Sequence, residues 1–318
     1  MSDLFDRRMI VVAGKGGVGR TTISMIVGRC AARRGKRTLV CLANAPLRYT
    51  DLLGGVSLDG EIRRISERLF AVNLDPVAAR EEYGLQVLRS RVLHRLVFGS
   101  PLVRSFLDAV PGLAEWAMFG KATHHALREV DGEPEFDLVV FDSPATGHGL
   151  EVLSLPRSIA RSIPAGRMRE EAERRVRLMS DPERFEVLPV AIPTEMAINE
   201  TVELVEALDG MGLKARRAVV NMVTPFEPPP ELVRAVERAR RAGKIPAWLS
   251  AGAAAVSRQE AERRSLERIE SLTSEPAILL PRLPEGSLDE KLWLSLARLF
   301  YKSITGAVPL ERGLNGAS

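Results

Sequence analysis

Cysteine is nearly absent from this sequence: 318 residues carry two, Cys30 and Cys41. Neither belongs to a C-x-x-C, so no disulfide framework or thiolate zinc site is indicated, and the usage suits a reducing compartment. Histidine is equally scarce, at four. His94, His124 and His125 show no metal-ligand spacing with acids or thiols and read as helix-surface residues. No run approaches the roughly 18 apolar residues that cross a bilayer. The opening MSDLFDRRMIVVAG leads into a strand without an apolar leader. Together these absences predict a soluble, cytoplasmic chain with no stable membrane insertion. Charge of one sign is not segregated either. The net +4 comes from interspersed Arg and Glu, so basicity here is no sign of nucleic-acid binding. Lysine is also rare: seven of the 45 basic residues are lysine, leaving 38 arginines.

The content is 45% hydrophobic, enough core for one large α/β domain. Short runs rich in Val, Ile and Leu predict strands at 9–13, 38–43, 69–74, 136–141, 185–192, 218–223 and 277–280. Several are nearly continuous in apolar residues, as in strands covered on both faces. Helical patterns at 21–34, 195–208 and 258–272 separate them. Strand alternating with helix predicts a doubly wound, mostly parallel sheet over 1–318. Two stretches break the rhythm: about 76–130 reads as helical with no strand, and about 150–182 includes the charged helix GRMREEAERRVRLMSD. Both read as helical layers on one edge of the sheet. The tail after about 306 is small and polar, and fraying is expected there.

Gly14-Lys15-Gly16-Gly17-Val18-Gly19-Arg20-Thr21 fits G-x-x-x-x-G-K-[ST] with one substitution. It follows a strand and opens a helix, as a phosphate-binding loop requires. Glycines let consecutive backbone N–H groups curl around phosphate oxygens at the positive end of the helix. Thr21 would give its hydroxyl to Mg²⁺, and Thr22 follows at the same helix start. Downstream, FDLVVFDSPATGHGLEVLSLP begins as a buried strand ending in Asp142. A carboxylate there stands beside the phosphate loop and can hold Mg²⁺.

Lys15 marks a deviant class of such loops and resembles that of the MinD, ParA, nitrogenase-iron-protein and ArsA ATPases. The wording DSPATGHGLEVLSLP is similar to the second switch of the ArsA family, which includes arsenite-pump ATPases and targeting factors for tail-anchored membrane proteins. Asp142, Thr146, Gly147, His148, Leu150 and Pro156 fall in register with it. NLDPVAAREEY, AVPGLAEWAMF, AIPTEMAINETVELVEAL, AVVNMV, SRQEAERRSLERI and LLPRLPE resemble further segments in the same order. The resemblance runs from about residue 9 to 300. It implies an ATP/ADP- and Mg²⁺-dependent ATPase acting as a dimer, with itself or with a paralogous ATPase, on a protein client. It also implies that Lys15 reaches phosphates held by the other subunit. By the same likeness Asn221 bonds the adenine, Pro281 and Leu283 lie in the loop beside it, and His148 belongs to a moving switch.

Three departures from the family stand out. Arg20 replaces the loop lysine: charge is kept, but a planar guanidinium prefers two oxygens where an ammonium is a point charge. Altered geometry at the phosphates and simple drift in an Arg-rich chain both account for it. In the first switch the family has D-P-A-H, whereas this chain reads Asn44-Ala45-Pro46-Leu47. Asn44 can hold a water but cannot take its proton. A slow or silent hydrolase that still binds nucleotide is the expectation, with a silent partner in a heterodimer or a targeting chaperone as alternatives. Third, an arsenite site wants several thiolates, and the insert holds only Met168 and Met179 where a tail-anchored client would need a Met-rich groove.

Overall fold

In the computed structural model, residues 3–45, 55–58, 60–79, 81–82, 112–144, 149–225, 227–283 and 290–305 are described. Strands β1 (Met9–Gly14), β2 (Thr38–Ala43), β3 (Arg63–Arg64), β4 (Leu69–Leu74), β7 (Leu138–Asp142), β8 (Phe185–Ala191), β9 (Val219–Val223) and β10 (Ile278–Pro281) form one sheet. Its order is β10-β9-β8-β1-β7-β2-β4-β3. Every pairing is parallel except β3 with β4. A separate hairpin pairs β5 (Glu129–Val130) with β6 (Glu133–Pro134).

The alternation of the strands builds the layers. In β1, Ile10 and Val12 face one core while Met9, Val11 and Ala13 face the other, so all six residues are buried. On the first face lie α1 (Arg20–Arg33) and α8 (Glu290–Thr305), which contribute Ile23, Ile26, Trp293 and Phe300. On the second lie α2 (Leu113–Leu127), α3 (Gly149–Ser162), α4 (Arg167–Ser180) and α5 (Glu195–Gly210). The charged helix expected at about 166–181 is α4; it buries Leu178, Met179 and Arg175, whose Nε donates to Thr123 Oγ1 at 2.9 Å, and exposes Arg167, Glu170, Arg174 and Arg177. Helices α6 (Pro230–Arg241) and α7 (Ser250–Glu270) add a small cluster of their own around Val236, Leu249 and Val256.

Three expectations need correction. Residues 76–130 are not free of strand, because Glu129–Val130 pairs with Glu133–Pro134 across a turn in which Asp131 has φ 55° and Gly132 φ 82°. The helix expected from 258 begins at Ser250, where the Ala-rich stretch SAGAAAV carries helix propensity without a periodic apolar face. His125 is not on a surface. It is buried, and its Nδ1 lies 2.8 Å from Glu135 Oε2. The polar edge of α2 packs over the hairpin, which sequence periodicity could not foretell.

Candidate nucleotide-binding site

The site lies where the central strand ends. β1 is flanked by β7 and β8, and Val12 is in register with Asp142 while Gly14 is in register with Val190. The loop 15–19 therefore leaves the sheet between the carboxyl ends of two neighbours, the usual place for a ligand in an open α/β sheet. Gly14 is required there because a Cβ would stand 2.4 Å from the Val190 carbonyl oxygen. Gly17 (φ 85°) and Gly19 (φ 90°) hold a left-handed backbone that side chains rarely adopt. A Cβ on Gly16 or Gly17 would meet nothing within 4 Å, so this side of the loop is open. The helix behind it has no acidic residue in its first turn. A glycine loop ending at a helix N-terminus, with no acid to offset the helix dipole, makes a cradle suited to an anion.

Asp142 is buried at the end of β7 and accepts from Thr21 Oγ1 at 2.7 Å and from Ser24 Oγ at 3.3 Å. Burial pushes its carboxyl up to about 6, against the opposing pull of the Thr21 bond, the Arg20 charge and the Ser24 bond. Two hard oxygens meeting at a desolvated carboxylate fit a Mg²⁺ ion, which would replace the proton that burial favours. Ser24 was missed in the sequence, although three residues beyond Thr21 on a helix is the same face.

Arg20 is engaged within its own subunit. Its Nη1 donates to the Ser143 carbonyl at 2.7 Å, tying the loop to the start of the stretch expected to be the second switch. Lys15 pairs with Glu200 of α5. Asn221, buried in the middle of β9, donates from Nδ2 to the Val18 carbonyl at 2.9 Å. A Cβ on Gly19 would meet that Nδ2 at 2.4 Å, so glycine is needed there for close approach as well as for φ. Pro281 ends β10 in register with Val223, two residues beyond Asn221, and Leu283 packs against the first core.

Asn44 lies two residues past Leu42, which is in register with Asp142, so it shares this edge of the sheet. It is exposed and left-handed (φ 52°). The base of its loop is clamped by Asn73, which exchanges two 2.9 Å hydrogen bonds with the Ala45 backbone. Thus Gly14 through Thr22, Asp142 and Asn221 converge, Asn44 stands one strand further along, and Pro281 lies beside Asn221. Thr146, Gly147 and His148 lie outside the described residues. A cavity of about 190 Å³ lined by Met179, Phe185, Lys214 and Arg216 is at the opposite end of β8 and is no part of this site.

A doubly wound sheet with a glycine loop leading into α1 and a buried acid on the next strand defines an α/β phosphate-loop nucleotide-binding fold. Comparison with known proteins narrows the class. The profile of the ArsA family, described as anion-transporting ATPase, matches residues 7–165, half of the chain, and the chain belongs to that family. It is 29% identical over 232 residues to an arsenical pump-driving ATPase of Acidiphilium multivorum, covering 67% of this chain and 39% of that protein. An ATPase named GET3 from Lachancea thermotolerans is 27% identical over 164 residues, or 49% of this chain and 47% of that one. A putative arsenical pump-driving ATPase 2 of Aquifex aeolicus is 25% identical over 260 residues, 72% and 84% of the two chains. Two of these three matches span less than half of the relative.

Proposed function

We propose that this chain binds ATP and ADP with Mg²⁺ at the Gly14–Thr22 loop, hydrolyses ATP slowly, and works as a nucleotide-gated dimer with a second copy or a paralogous ATPase. The observation that carries the reading is the 2.7 Å contact of Thr21 Oγ1 with buried Asp142 behind an open glycine loop. Amides of residues 16–20 wrap the phosphates, and the starts of Thr21 and Thr22 extend the cradle. Thr21 and Asp142 hold the metal, which when bound neutralises charge on the phosphates. Asn221 exchanges its bond to Val18 for one to the base, with Pro281 and Leu283 beside it. Lys15 reaches the partner's phosphates.

Slow turnover follows from Arg20 and Asn44. Arg20 is tied through Nη1 to the Ser143 carbonyl, and its planar fork meets phosphate with a geometry unlike that of a lysine ammonium. Asn44 can orient a water yet offers no base. The same two residues favour a second reading, a silent half of a heterodimer. Phosphate release by the unmodified chain should fall at least about a hundredfold below that of the Arg20→Lys/Asn44→Asp double variant. Equal rates would remove the idea of impaired hydrolysis, and silence in both would favour the silent partner.

The cargo named for the arsenical relatives finds little support. Cys30 and Cys41 are buried in cores on opposite faces of the sheet. Burial pushes the Cys30 thiol up to about 12 and Cys41 higher still. Nor can Trp116, Ala117, Met118 and Phe119 of α2 serve as the groove for a protein client, because they pack in the second core.

A further inference from the structure

Lys15 is not idle in the single chain. Its Nζ donates to Glu200 Oε1, 185 residues away in sequence. The two side chains are 34% and 33% exposed, so the pair sits at the rim of the loop. Glu200's other oxygen, Oε2, is buried without a hydrogen-bond partner among the described residues. Leaving a carboxylate oxygen desolvated and unmet is unfavourable. What keeps it there is the packing of α5, whose Ile198, Val202 and Leu204 are buried on either side of it in sequence. The strands fix the meeting: the Lys15 loop follows β1, α5 follows β8, and β1 pairs with β8 over six residues.

We propose that Glu200 is an internal counter-anion for Lys15, holding the ammonium within its own subunit until a polyphosphate on a second copy displaces it. The inference rests on the dimer reading given above. An ammonium is a compact charge on one flexible stem; it cannot sit on Glu200 and span an interface at once. Closure therefore exchanges one anion for another, carboxylate for phosphate, and Glu200 sets how much nucleotide-bound partner is needed. It is a positioning residue, acting only through Lys15. The loop's second cation behaves alike, since Arg20 is bound to the Ser143 carbonyl. Both charges due to meet phosphate thus begin on internal acceptors.

The test uses the full chain with Glu200→Gln and Glu200→Asp in two assays. Acetylation of Lys15, followed by mass spectrometry without nucleotide, should speed up severalfold in Glu200→Gln. Sedimentation with a non-hydrolysable ATP analogue and Mg²⁺ should show its dimer forming at lower protein concentration. The gain from one ion pair about one-third exposed is up to about fivefold per subunit, so up to about twenty-fivefold for two. Asp keeps the charge but loses a methylene of reach, and should follow Gln. Unchanged labelling in Glu200→Gln would overturn the proposal, as would Asp matching the unmodified chain in both assays. Faster labelling with no dimer in any protein would uphold the tether and remove the dimer reading.

Discussion

Asp142 concentrates the chemistry of single residues. Its carboxyl is buried, faces two hydroxyls, and is raised to about 6 from an ordinary value near 4. The folded nucleotide-free protein therefore keeps a proton that the unfolded chain gives up between about pH 4 and 6. Stability falls as pH rises through that window, by up to about 3 kcal/mol. Asp142→Asn removes the liability, so its melting temperature should exceed that of the unmodified chain at pH 7.5 and match it near pH 4. The same variant should lose any strengthening of ATP binding by Mg²⁺. A like argument applies to Asn44. Aspartate tolerates the left-handed backbone (φ 52°) nearly as well as asparagine. Asn44→Asp should then change stability by less than about 0.5 kcal/mol, read as a nearly constant melting temperature, while raising phosphate release.

Among the elements, α1 shows how closely the site depends on packing. Gly28 faces the sheet where a Cβ would stand 2.4 Å from Val40 Cγ2 and 3.1 Å from Leu69 Cδ1. Gly28→Ala should lift the helix from β2 and lower stability by about 1–3 kcal/mol, read as a shifted urea midpoint. Its nucleotide affinity should fall too, since the loop is the start of that helix. Six of the seven expected strands were legible to within a residue or so, because most are largely buried and read as nearly continuous runs rich in Val, Ile and Leu; the seventh, from 136, starts two residues later. The glycine loop and Asp142 were legible because their spacing answers to phosphate geometry. Glu200, Asn73 and Ser143 were not, because their partners are distant in sequence and only sheet order brings them near. The buried Arg7 bond to Glu186 at 3.2 Å escaped for the same reason. Burial raises the Glu186 carboxyl while Arg7 and Arg217 hold it down. Arg7→Ala should cost up to about 3 kcal/mol, because Arg217 at 3.9 Å still faces the Glu186 carboxylate, measured by the same denaturation.

For the whole molecule, one sheet with a core on each face carries every residue of the site on a single edge. Among the described residues no helix is long and apolar enough to cross a membrane, and no cluster of three or more His, Cys, Asp and Glu could hold a metal. Membership of the ArsA family fixes the class, and the proposed slow turnover rests on the chain's own departures at Arg20 and Asn44. Calorimetric titration of ATP with Mg²⁺ into the full chain, beside its Thr21→Ala variant, probes the central claim most directly. The account predicts saturable binding that Mg²⁺ strengthens in the unmodified chain and does not strengthen in Thr21→Ala. Absence of binding at about millimolar ATP, or an equal Mg²⁺ effect in both proteins, would contradict it.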